Sequence, residues 1–201
     1  MDLQAWDNIV SIASNSITTI GVIAGLIFGG KKVNEYFKTK MNDAAFISAV
    51  NLYEEVVNVR ERHGRVRLLL NYALGKTEEA LTQNRPIDLT TYIEIERIGL
   101  DSFEASLSIS KCFTRASSYG NIIKPSALEE LNALLDISNK MTNTVNSFFG
   151  KAISASTAKV PNQEELGELR TLYKSFSELQ LEYNEKCSNF QNIKFKDAFY
   201  F

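Results

Sequence analysis

Residues 8–30 read NIVSIASNSITTIGVIAGLIFGG, 23 positions without a charged side chain, bracketed by Asp7 and by Lys31 and Lys32. At about 1.5 Å per residue, a helix of that length spans a hydrocarbon core of roughly 30 Å. The stretch is expected to cross a membrane once, with everything after Lys31 on one side. A secretory leader fits less well. Met1–Asp7 holds two aspartates and no lysine or arginine, and positive charge follows the apolar run instead of preceding it. A soluble core helix of this length would normally carry a charged face, and this run has none.

The flanks set the expected orientation. Lys31, Lys32, Lys38 and Lys40 follow the span and no basic residue precedes it. The positive-inside rule then puts the carboxy-terminal part in the cytoplasm and the amino terminus outside, in a cell (inner) membrane. Trp6 at one edge, and Tyr36 and Phe37 at the other, suit the two interfaces. The chain contains no Asn-x-Ser/Thr sequon, in keeping with a cytoplasmic bulk.

Within the span the first half is polar, with Ser11, Ser14, Asn15, Ser16, Thr18 and Thr19, and the second half is apolar. On a helix Ser11, Ser14, Thr18, Gly21, Gly25 and Gly29 recur at steps of three and four and share one face. The three glycines make two overlapping small-xxx-small pairs, a glycine zipper that allows close backbone approach between membrane helices. This face is the expected homo-oligomer seam. Its hydroxyls would bond across a helix pair or meet water, as a pore lining would.

The rest of the 201-residue chain is long enough for one domain with its own core. A formal net charge of −2 gives no field that would attract nucleic acid, so no direct DNA binding is expected. Cys112 and Cys187 are far apart, fit no metal-ligand spacing, and read as buried thiols in a reducing compartment. All three prolines lie outside the periodic segments, which favours long helices.

Four helical segments follow the basic juxtamembrane piece at 33–42. The first, 43–74, carries a stripe of Phe46, Val50, Tyr53 and Val57, widened by Ala49, Leu52, Val56 and Val59, and Gly75 is expected to stop it. The second runs from a cap at Asp88 to about Tyr119, with Leu89, Tyr92, Leu100, Phe103 and Leu107 among its inward candidates. The third starts at Pro125 with Ser126-x-x-Glu129 and ends at Gly150; its buried side is Leu128, Leu131, Leu135, Val145 and Phe148. Pro161, Asn162 and Glu165 open the fourth. Its seam is the most regular: Leu166, Leu169, Tyr173, Phe176, Leu179 or Gln180, Tyr183, Cys187 and Phe190. Phe199, Tyr200 and Phe201 in the tail are costly to leave in water and are expected to dock on the bundle or on a neighbouring subunit.

The expected architecture is all-α: a single N-terminal transmembrane helix followed by a cytoplasmic antiparallel helical bundle of about four helices. Its parts are an anchor at 1–32, the juxtamembrane segment at 33–42, the bundle at 43–192 and an aromatic tail at 193–201.

Catalytic constellations are missing from the sequence. His63 is the only histidine, so any triad has one available base, and no nucleophile elbow accompanies it. Neither a P-loop nor a dinucleotide-binding glycine pattern occurs. No enzyme activity, cofactor or metal is expected. The one dense polar cluster is Arg60, Arg62, His63, Arg65 and Arg67. Arginine forks suit phosphate, so the cluster is a candidate contact for an anion, a nucleotide or an acidic protein partner; a solvated basic patch paired to nearby acids is the plainer reading.

In arrangement alone, a short membrane segment joined to a helical domain resembles the small bacterial membrane effectors of anti-phage and CRISPR-linked immunity. The resemblance implies a membrane-disrupting, pore-forming or depolarising effector with an anionic trigger, in contact with lipid and with copies of itself. The alternative is a membrane-tethered adaptor that recruits a protein partner through its bundle.

Overall fold

The computed structural model describes residues 3–87, 89–156 and 160–200. The side chains of residues 3–31, 33, 37, 89, 91, 92, 95, 96, 155 and 156 fall outside that description. Among the described residues the chain is all-helical: α1 (Leu3–Thr82), α2 (Leu89–Ser117), α3 (Pro125–Ser156), α4 (Gln163–Asn192) and the short α5 (Phe195–Ala198). The contacts divide the chain into two compact units, Met1–Ala44 and Ala45–Phe201.

In the first unit the backbone is helical from Leu3 onward. Among the described residues no helix is long and apolar enough to cross a membrane. The expected span at 8–30, with Ser11, Ser14, Thr18, Gly21, Gly25 and Gly29, lies where side chains are outside the described residues.

The second unit is an antiparallel four-helix bundle. Val56 on α1 meets Tyr183 on α4 while Glu78 meets Arg170, so these two helices run in opposite directions. Ser106 bonds Asn139 and Ser102 accepts from Thr142, which sets α2 against α3 in the same sense. Lys151–Glu168 and Lys186–Glu130 ion pairs do so for α3 and α4. Tyr183, Phe148, Phe176, Phe190, Leu52, Leu70, Leu131 and Leu134 fill the interior, each fully buried.

Local chemistry explains the ends. Asn162 caps α4: its Oδ1 accepts from the Glu165 amide at 2.9 Å, and Glu165 accepts from the Asn162 amide at 2.8 Å. At the end of α1, Asn84 takes a left-handed φ of 50°. The amides of Arg85 and Asn84 then return to the carbonyls of Ala80 and Leu81, closing a Schellman motif. Gly120, at φ 96°, turns the chain between α2 and α3.

Several expected boundaries shift. α1 runs through Gly75 to Thr82, and α3 through Gly150 to Ser156. A mid-helix glycine costs only about 1 kcal/mol, and buried Ala73, Leu74, Thr77 and Ala80 hold that part of α1 in place. The stripe on α1 is rotated: Ala45, Ala49, Leu52, Val56 and Val59 are buried while Phe46 is half exposed. On α2 the assignment inverts. Ile98, Ala105 and Ile109 face the core, and Leu100, Phe103 and Leu107 face outward.

The tail closes one end of the bundle. Ile123 and Phe199 form an isolated antiparallel bridge, the Lys124 amide donates to Ala198 at 2.9 Å, and the Tyr200 amide donates to Ile122 at 2.7 Å. Phe199 is buried to 1%. The Lys124 ammonium sits 5.2 Å from the centroid of the Tyr200 ring. Phe201 lies outside the described residues.

Candidate functional site

Five cationic or titratable residues within eight positions do not make one surface, because a helix turns about 100° per residue. Arg60, Arg65 and Arg67 are exposed, Arg62 is intermediate, and His63 is buried to 1%. The structure therefore separates them. Arg62 pairs with Glu55 on its own helix at 3.1 Å and reaches α2, where it donates to the Ser108 hydroxyl at 3.1 Å. Ser108 also donates to Glu55, completing a three-residue tie between α1 and α2. Arg60 lies beside Cys187 on α4, where it opposes the rise that burial imposes on that thiol.

His63 enters the seam between α1 and α4. Its ring meets Tyr183 edge-on, with centroids 4.6 Å apart and planes at 83°. Tyr183 donates to the Val56 carbonyl at 3.2 Å, and Cys187 Sγ points at the same oxygen from 3.8 Å. Burial holds the Tyr183 phenol well above its ordinary range and raises the Cys187 thiol. Both stay protonated at neutral pH.

Among the described residues neither nitrogen of His63 has a hydrogen-bond partner, and the same holds for Gln180 Oε1 and Asn184 Oδ1 on the facing helix. Burial, reinforced by the Arg62 charge, lowers the His63 pKa to about 4. The imidazole is neutral under ordinary conditions, and among the described residues no acid bonds to it. Such a group is a buried polar element of a helix seam.

Comparison with protein-family models, curated proteins and solved structures returned no match for this chain. The functional reading rests on its own residues.

Surface concavities lie at two further places among the described residues. One, of about 430 Å³, lies at the α1–α2 turn, where Lys76 and Arg85 both pair with Glu79 at 2.9 and 2.6 Å. The two cations share that one carboxylate, and Glu94 lines the same hollow. The other, of about 550 Å³, is walled by Phe46, Phe195, Phe199, Tyr200 and two lysines, and the Lys124 ammonium there donates to the Lys196 carbonyl at 2.6 Å. Among the described residues no group of three or more His, Cys, Asp and Glu side chains is placed to hold a metal ion.

Sequence reasoning missed Glu55 and Ser108 as the partners of Arg62, since they come from another turn and another helix. It also left Asn184 out of the α4 seam. The alternation of three and four leaves Leu179 and Gln180 both open, and the fold buries Gln180.

Proposed function

We propose that this chain is a single-pass, homo-oligomeric membrane protein with its amino terminus outside and its helical bundle in the cytoplasm. It works by helix assembly and rearrangement, without catalysis, as a bacterial membrane-disrupting effector of the anti-phage kind. The observation that carries the reading is the uncharged run at 8–30 with its glycine face and the lysines that follow it. The helical bundle gives such an effector a body through which copies associate. The exposed Arg60, Arg65 and Arg67 offer an anionic trigger or an acidic partner a first contact.

The test is membrane potential in cells producing the chain, read with a voltage-sensitive dye. Depolarisation is expected, and Gly25→Leu, which sets a bulky side chain on the glycine face and holds the helices apart, abolishes it. An unchanged potential under production and challenge removes the effector reading. Full activity with an unrelated anchor in place of residues 1–32 would instead identify a tethered adaptor.

A further inference from the structure

The hollow at the carboxy-terminal clasp combines aromatic walls with charge of one sign. Phe46, Lys124, Phe195, Lys196, Phe199 and Tyr200 line its volume of about 550 Å³, and all six belong to the second unit. Phe195 ties the rings together, its centroid 5.5 Å from that of Phe46 and 4.8 Å from that of Phe199. Phe199 is buried, whereas Phe46 and Tyr200 are 48 and 53% exposed. The rings therefore form a floor and two accessible flanks.

Backbone pairing brings the cations to these rings. The bridge from Ile123 to Phe199 and the amide bonds of Lys124 and Tyr200 fasten the tail beside the start of α3. The Lys124 ammonium then donates to the Lys196 carbonyl at 2.6 Å and stands 5.2 Å from the centroid of the Tyr200 ring. It is held in place, yet an ammonium carries more donors than one carbonyl can use. Among the described residues neither lysine is in an ion pair, and no carboxylate lines the hollow. Asp197, the exposed neighbour of Lys196 on α5, is not part of the lining.

The hollow at the α1–α2 turn differs on this point. There Lys76 and Arg85 share Glu79, and Glu94 lines the same space. At the clasp a cation would be repelled. A purely apolar guest would take water from two ammonium groups and give them nothing in return. A bare inorganic anion would use the lysines and leave the rings unused. A flat aromatic body with a negative charge answers both, and a mostly apolar hollow with a few placed polar groups is the usual form of a small-molecule site.

We infer that this hollow binds a small aromatic anion, its ring against Phe46 and Tyr200 and its carboxylate or phosphate on Lys124 and Lys196. The inference uses bundle residues alone and does not rest on the membrane reading or on the arginines of α1.

The experiment is an NMR titration of small-molecule probes with the full-length chain in mild non-ionic detergent, with protein-free micelles as the blank. Indole-3-acetate and adenosine monophosphate are the aromatic anions. Tryptamine and adenosine carry the same rings without the negative charge, and inorganic phosphate carries the charge without a ring. At least one anion is expected to bind about tenfold more tightly than its matched control and than phosphate. Which anion does so tells a carboxylate ligand from a phosphate one. With helicity unchanged by circular dichroism, Lys196→Gln should weaken that binding about fivefold. Tyr200→Ala should weaken it about tenfold. Arg65→Gln, exposed on α1 and outside the hollow, should leave it unchanged. Neither anion surpassing its controls, or full binding in the Lys196 and Tyr200 variants, would overturn the proposal. Binding that appears only once Phe201 is deleted would overturn it too, in favour of the chain's own next residue as the occupant.

Discussion

His63 and Tyr183 meet edge to face at 4.6 Å across the α1–α4 seam, and the histidine has no hydrogen-bond partner among the described residues. An aromatic pair of this geometry favours packing, while two bare ring nitrogens oppose it. The balance makes this seam sensitive to acid.

In the unfolded chain His63 takes up a proton near pH 6.5, whereas in the fold it does so only near 4. Between those values the unfolded state binds more protons, so stability is complete above about pH 6.5 and falls as pH drops towards 4. The full loss is about 3 kcal/mol. Urea unfolding from pH 7.5 to 4 should show this slope. His63→Phe keeps the ring contact, removes the slope, and leaves stability at pH 7.5 unchanged or raised by about 1 kcal/mol.

The Glu55–Arg62–Ser108 tie joins α1 to α2 with a carboxylate whose side chain is only 13% exposed. Arg62→Ala leaves that charge with the Ser108 hydroxyl and, at 3.5 Å, the Asn58 amide, and should cost about 1–2 kcal/mol. In the Glu55→Gln background the same substitution should cost less than about 0.5 kcal/mol. Denaturant midpoints of the four proteins in this double-mutant cycle give the coupling directly.

Two glycines should respond oppositely to alanine. A methyl at Gly64 meets only Gln180 Nε2, at 3.7 Å, so Gly64→Ala should stabilise the bundle by about 0.5–1 kcal/mol through helix propensity. At Gly99 the methyl would stand 3.1 Å from the buried Phe149 ring. Gly99→Ala should therefore cost about 1 kcal/mol. Thermal unfolding of both variants checks the pair.

The carboxy-terminal clasp contributes to the core, because Phe199 is buried against the bundle and its neighbours bond to Ile122 and Lys124. Phe199→Ala should destabilise by about 3–5 kcal/mol, measured by chemical denaturation. Tyr200→Ala, at a half-exposed ring, should cost less than about 1 kcal/mol.

How much of this was readable in advance depended on the helix. α4 was legible in detail because its single apolar seam is one-sided and its start carries the Asn162–Glu165 pattern. Leu166, Leu169, Phe176, Gln180, Tyr183, Cys187 and Phe190 are all buried along it. α2 read inside out, since it has two apolar arcs and the larger side chains occupy the outer one. Only the packing partners Asn139, Thr142 and Phe149 on α3 reveal which arc faces in. The arginine-rich stretch divides for a related reason: Arg60 and His63 turn to α4, while Arg62 between them in sequence turns to α2. What they touch depends on α2 and α4, which no local pattern encodes.

The central claim is that residues 8–30 hold the chain in lipid, and alkaline carbonate extraction of membranes from producing cells tests it most directly. The full-length chain is predicted to remain in the membrane pellet, while a chain beginning at residue 33 is predicted to appear in the supernatant. Release of the full-length chain into the supernatant would contradict the account.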